Sequence, residues 1–143
     1  MTYFVMALMF VLQSTACSGG DKVIEMKDLP ASAQSLVKDH FHGKQVLLVQ
    51  KDIEGLRTSY DVVLNDGAKL EFDAKGKWIE IDCKPQNVPD ALIPTIINDY
   101  VKQNFSEVRV VQIERDRHGY EIDLSNGLEI RFNKHFKVVK IDD

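Results

Sequence analysis

The chain is 143 residues long, 44% hydrophobic and 28% charged, with a formal net charge of −4, the balance of one globular domain rather than of a disordered chain. Its 18 Lys and Arg are scattered among 22 acids, with no basic block able to release counterions from a phosphate backbone, so nucleic acid is excluded as a partner class. Two cysteines are too few for a disulfide framework.

Met1 to Ala16 carries no Asp, Glu, Lys or Arg, and Tyr3 to Leu12 is almost wholly apolar. About ten apolar residues fall short of the ~20 that a membrane-spanning helix needs, so the segment reads as an export signal. Ser14-Thr15-Ala16-Cys17, followed by Ser18-Gly19-Gly20-Asp21, resembles a bacterial lipoprotein signal. That resemblance implies residues 1–17 as the signal, a lipid on Cys17 and an anchor in a membrane. Plain secretion after Ala16 is the alternative. Residues 18–27 then form a flexible tether.

Leu29-Pro30 opens a segment in which Ala33, Leu36, Val37 and Phe41 follow helical spacing, with Asp28 as N-cap and Gly43 as stop. Four alternating runs follow, the pattern of half-buried antiparallel strands: Gln45 to Lys51, Leu56 to Leu64, Lys69 to Asp73 and Lys77 to Asp82. After a linker at 83–87, Val88-Pro89 opens a second, wider helical stripe through Ile93, Ile96, Ile97, Tyr100, Val101 and Phe105, which Pro94 divides into a short turn and a main helix. Four more runs follow: Glu107 to Glu114, Tyr120 to Ser125, Leu128 to Asn133 and Phe136 to Ile141. Asp66-Gly67 and Asn126-Gly127 occupy equivalent tight hairpins.

Tyr60, Leu64, Gly67, Phe72, Lys77, Ile81 and Asp82 return sixty residues later at Tyr120, Leu124, Gly127, Phe132, Lys137, Ile141 and Asp142. Composition alone gives about one or two such identities, so the overlay reads as a duplicated unit. The expected fold is α+β: two copies of a helix plus a four-stranded antiparallel sheet, at 28–82 and 88–143. The two sheets are joined or packed together, with the helices on one face.

Strict alternation assigns Tyr60, Val62, Leu64, Leu70, Phe72, Ile79 and Ile81 to the helix side, matched by Tyr120, Ile122, Leu124, Ile130, Phe132, Val139 and Ile141. The opposite face then carries Asp61, Lys69, Glu71, Asp73, Glu80 and Asp82, with Glu121, Asp123, Glu129, Arg131 and Lys140 from the second half; Trp78 joins it, as do Phe136 and Val138. An indole on a charged sheet is an interface candidate, with cover for the seam between the halves as its other reading. Cys83 beside Lys84 is a candidate low-pKa thiol, set against an incidental cysteine at a strand end. His40 and His42 do not share a helical face, His118 and His135 fall in turns, and no serine sits in a nucleophile elbow. No catalytic residue, metal ligand or cofactor is expected.

An exported protein of two helix-plus-four-strand units, with Leu29-Pro30 and Val88-Pro89 opening the helices and Tyr60-Asp61-Val62 and Tyr120-Glu121-Ile122 in the strands, resembles the PepSY-like family of bacterial periplasmic proteins. The resemblance implies a fold similar to that of the β-lactamase inhibitory protein, in a protein of the Gram-negative envelope. The expected function is a non-catalytic envelope module, monomeric, that offers its open sheet face to a protein or peptide. A periplasmic carrier of a small ligand or cation, and an inhibitor of a secreted or periplasmic hydrolase, are the alternatives.

Overall fold

Among the described residues nine strands, each antiparallel to its neighbours, pair in the order of the chain to make one sheet. The computed structural model describes residues 20–143; the expected export signal and the acylation candidate Cys17 lie outside the described residues. The strands are β1 (Lys22–Val23), β2 (Val46–Glu54), β3 (Arg57–Leu64), β4 (Lys69–Asp73), β5 (Trp78–Asp82), β6 (Val110–Asp116), β7 (Gly119–Leu124), β8 (Glu129–Asn133) and β9 (Val138–Asp142). Helix α1 (Ala31–His40) lies between β1 and β2, and α2 (Thr95–Asn104) between β5 and β6.

Short polar side chains close the hairpins by capping their own backbone, the reason Asp and Asn recur there. The Asp66 carboxylate accepts from the Ala68 N–H and the Asn126 carbonyl from the Leu128 N–H, while Gly67 and Gly127 sit at φ 89° and 90°. Asp73 accepts from the N–H groups of Lys75 and Lys77, and Asn133 from those of His135 and Lys137. The registers agree as well: Tyr60 pairs with Phe72, and Tyr120 with Phe132.

The core lies on one face only. Ala33 and Val37 of α1, and Ile97 and Val101 of α2, are buried in one cluster with Val62, Leu64, Phe72, Ile81, Ile113, Ile122 and Phe132 of the sheet. Tyr100 of α2 meets the Phe132 ring edge-on at 5.4 Å. Each fully buried Leu, Ile or Phe contributes about 1.5–3 kcal/mol, and this layer joins both halves across the β5–β6 pairing of Ile81 with Ile113.

Four expectations change. A single nine-stranded sheet replaces two four-stranded ones. β1, in the segment expected to be tether, pairs with Lys51 and Gln50, a strand too short for any periodicity to reveal. Asp28 does not cap α1: it ends a 3₁₀ turn, Met26–Asp28, and accepts from the Glu25 N–H, while Pro30 holds the N-cap position. Pro94 does divide its segment, into the 3₁₀ turn Asp90–Leu92 and α2.

The fourth change concerns faces. The pairing slips between Glu71 and Phe72, so that Glu71 faces Glu80 while Phe72 faces Trp78. One extra residue, Ile79, is accommodated in a bulge, and every side chain before it changes face. β8 and β9 repeat the slip: Arg131 faces Lys140 and Phe132 faces Val138, with Val139 as the extra residue. Trp78 and Val138 therefore stand on the helix face, in place of Ile79 and Val139.

Candidate functional site

The open face is built by cross-strand register. Asp61 pairs with Glu71, Glu71 with Glu80, Glu80 with Glu114, and Glu114 with Glu121. Adjacent strands lie about 4.8 Å apart, so these five carboxylates form a ladder across β3, β4, β5, β6 and β7. The ladder ends in cations, because Glu121 pairs with Arg131 and Arg131 with Lys140. A second row beside it carries Lys69, Asp82, Gln112, Asp123, Glu129 and Asp142.

Partial burial on the sheet, then neighbouring carboxylates, raise the pKa of Asp61, Glu71, Glu80 and Glu114 above the ordinary range. For Glu71 the charged neighbours are Asp61 and Glu80, and for Glu114 they are Glu80 and Asp116. Compensation is thin. Gln112 donates to Glu80 at 2.7 Å, and Arg57 stands 3.9 Å from Glu71. Arg131 pairs with Glu121 at 3.0 Å and Asp116 at 3.2 Å, at the ladder's end.

These directions fix a pH dependence. Folded Asp61, Glu71, Glu80 and Glu114 bind protons more readily than they do in the unfolded chain, so their contribution to stability is fully present below about pH 4, where unfolded carboxylates titrate. It is lost as pH rises through the folded values. Compared with a Glu71→Gln/Glu80→Gln chain, the wild type should lose stability from about pH 4 to pH 8 in urea denaturation. Equal profiles would show that the ladder carries no repulsion.

Glu121, Asp123 and Glu129 bring one ligand atom each within 4.8 Å of one another. A side-chain hydrogen bond with Glu121, then its charge, raises the Glu129 pKa, the direction expected where carboxylates crowd one another. Oxygen-only donors of this kind suit Ca²⁺. A hollow of about 290 Å³ lies on the same face, lined in part by Asp61, Lys69, Glu71 and Glu80.

Of the binding-face residues expected from sequence, Asp61, Glu71, Glu80 and Asp82 stand on this face. Trp78 does not. It is 7% exposed, packed at the β5–β6 seam, with the Arg115 guanidinium 3.8 Å from its ring centroid and Arg115 Nε donating to its carbonyl at 2.6 Å. Phe136 stacks on Tyr120 at 5.4 Å against the core, and Val138 packs there too. The sequence reading missed Glu114 and Gln112, although both alternate with buried Ile113. Burial, then the charges of Asp66 and Asp82, pushes the Cys83 thiol up to about 11; Lys84 turns to Asp123 instead, so Cys83 is not an activated nucleophile.

Fold and site together define a class: an antiparallel sheet with helices on one face and a carboxylate ladder on the other. The family described as "Putative beta-lactamase-inhibitor-like, PepSY-like" matches residues 58–140, and the chain belongs to this PepSY-like family. A periplasmic protein of the DUF2874 family from Bacteroides vulgatus is similar at 42% identity and TM-score 0.86, over 89% of this chain and 100% of that one. A candidate calcium-regulated periplasmic protein from Bacteroides thetaiotaomicron is similar at 41% identity and TM-score 0.84, over 86% and 97%. A periplasmic protein of unknown function from Bacteroides vulgatus is similar at 41% identity and TM-score 0.81, over 87% and 100%. No curated protein matches the chain. No helix among the described residues is long and apolar enough to cross a membrane.

Proposed function

We propose that the chain is a non-catalytic binding module of the periplasm whose open sheet face receives a basic protein or peptide segment. The uninterrupted Asp61–Glu71–Glu80–Glu114–Glu121 ladder carries this reading. Asp61, Glu71 and Glu80, half-buried and with elevated pKa values, gain from an incoming cation, and an extended basic strand lying across the ladder would meet one carboxylate per sheet strand. Export by residues 1–17, with a lipid on Cys17, is part of the same proposal. So is descent of the two halves from one duplicated unit, supported by the shared registers and turn caps.

Calorimetric titration with an oligolysine peptide tests the binding surface. Binding that weakens as salt is added is expected. A Glu71→Gln/Glu80→Gln/Glu114→Gln chain should bind at least about tenfold more weakly. No binding at low salt, or full binding by the triple variant, would remove the reading.

One observation favours a second reading, Ca²⁺ capture, namely the approach of Glu121, Asp123 and Glu129. It is supported by the description of the Bacteroides thetaiotaomicron relative as calcium-regulated. In the same calorimeter Ca²⁺ alone should then bind, and Glu129→Gln should abolish its heat without affecting the peptide. Silence with Ca²⁺ would leave the peptide reading alone.

A further inference from the structure

Among the described residues the sheet has two edges, and they differ. At one, β1 covers β2: Val23 pairs with Gln50, and the Ile24 N–H donates to the Val49 carbonyl at 2.9 Å. At the other, β9 has no outer neighbour. Its Val139 and Ile141 are 56% and 47% exposed, whereas Ile81, sixty residues before Ile141, is 0% exposed because β6 covers it.

The two strands share their inner pairing, Ile81 with Leu70 and Ile141 with Ile130, and the same bulge. Just past β5 the Cys83 N–H donates to the Val111 carbonyl at 2.9 Å. That places Asp82 and Gln112 at a non-hydrogen-bonded site and turns the Ile81 N–H and C=O toward β6. By the same register the Ile141 N–H and C=O turn to the free edge. β9 thus presents the surface on which β5 accepts a strand, and presents it uncovered.

We propose that the β9 edge docks a second copy of this chain, β9 against β9, antiparallel about a two-fold axis at Ile141. The charge pattern of the strand selects both the occupant and the register. With the axis at Ile141, that residue exchanges both backbone hydrogen bonds with its own copy, and Lys140 lies opposite the partner's Asp142 twice over. Lys140 and Asp142 belong to the open face, where they pair with Arg131 and Glu129, so the cross-edge ion pairs form on that side while the isoleucines meet on the helix side. Moving the axis to Lys140 sets ammonium against ammonium, and moving it to Asp142 sets carboxylate against carboxylate; like charges directly opposite are destabilising. A half-step register aligns the open face of one copy with the helix face of the other.

The contact is a short strand edge, at the small end of protein interfaces, so the dimer is reversible and concentration-dependent. A two-fold axis perpendicular to the sheet keeps both open faces on one side, which carries the carboxylate rows across an eighteen-stranded sheet, twice the nine of one chain. The sequence reading expected a monomer; the edge makes that state the dilute limit.

Sedimentation equilibrium of the full chain over a concentration series tests this. The wild type should dimerise reversibly. Lys140→Glu and Asp142→Lys each place like charges across the edge and should raise the dissociation constant at least about tenfold. The double variant Lys140→Glu/Asp142→Lys restores opposite charges and should recover dimerisation. Both positions are exposed, and the Lys140–Asp142 pair within one chain, 2.8 Å apart, is a surface contact of little weight for folding; at concentrations where every chain is monomeric, circular dichroism melts should coincide for all four chains. A monomer at every concentration overturns the proposal. So does association that ignores the single reversals, or a double variant that fails to recover.

Discussion

Trp78→Ala should destabilise the chain by about 3–5 kcal/mol, the range for removing a buried aromatic side chain from a packed core. The indole is 7% exposed and faces Phe72 across β4 and β5. On its other side the Arg115 guanidinium of β6 lies over the ring and donates to the Trp78 carbonyl, so one side chain ties the two halves of the sheet together. Removing it leaves a cavity at the seam and takes a cation–π contact worth about 0.5–2 kcal/mol from Arg115. A chain of this size has about 5–15 kcal/mol in total, so the loss is a large fraction. Trp78→Phe should retain most of the packing. The urea midpoint measures both. A Trp78→Ala chain within about 0.5 kcal/mol of wild type would have the behaviour of a surface site, contradicting the buried placement.

Gly119→Ala should be comparably severe, at least about 3 kcal/mol, for a backbone reason. Gly119 has φ 144°, a conformation that L side chains rarely adopt, and it pairs directly with Asn133 of β8. A methyl group there would strike the Phe132 carbonyl oxygen and approach Asn133 C and Cα to 2.6 and 2.9 Å. These are strand backbone atoms and cannot swing aside. The first residue of β7 would have to leave β8, and its N–H would leave the Asp116 carboxylate, which accepts it at 3.1 Å. Gly67→Ala is the control. Its φ is 89°, but nothing lies within 4 Å of the added carbon, so only the conformational strain of about 1–2 kcal/mol remains. Similar midpoints for the two variants would show that the close approach at β8 is unimportant.

Hairpins and helices were legible because their signals are local. Asp66-Gly67 and Asn126-Gly127 mark turns by their own chemistry, and the apolar positions of α2 recur at helical spacing around a proline that divides the segment. The face of Trp78 was not legible by alternation, since one extra residue in β5 reverses it. A readable sign was present: Trp78-Ile79 and Val138-Val139 place two apolar residues side by side where strict alternation allows one. β1, two residues long, exists only because β2 offers it an edge.

The acidic face was half legible. Asp61, Glu71 and Glu80 follow from alternation within single strands. Their continuation into Glu114 depends on the Glu80–Glu114 pairing across the seam, with α2 and its flanking loops intervening in the chain, and no local pattern specifies that register. The ladder is therefore a property of the assembled sheet, which is why a chain with only −4 net charge concentrates so much negative potential on one side.

An amide chemical-shift titration of the chain with oligolysine at low salt locates the binding surface residue by residue. Perturbations should centre on Asp61, Glu71, Glu80, Glu114 and Glu121, fade as salt is added, and leave Ala33, Val37, Ile97 and Val101 of the helices unmoved. Shifts centred on the helix side, or none at a saturating peptide concentration, would contradict a basic partner held by the carboxylate ladder.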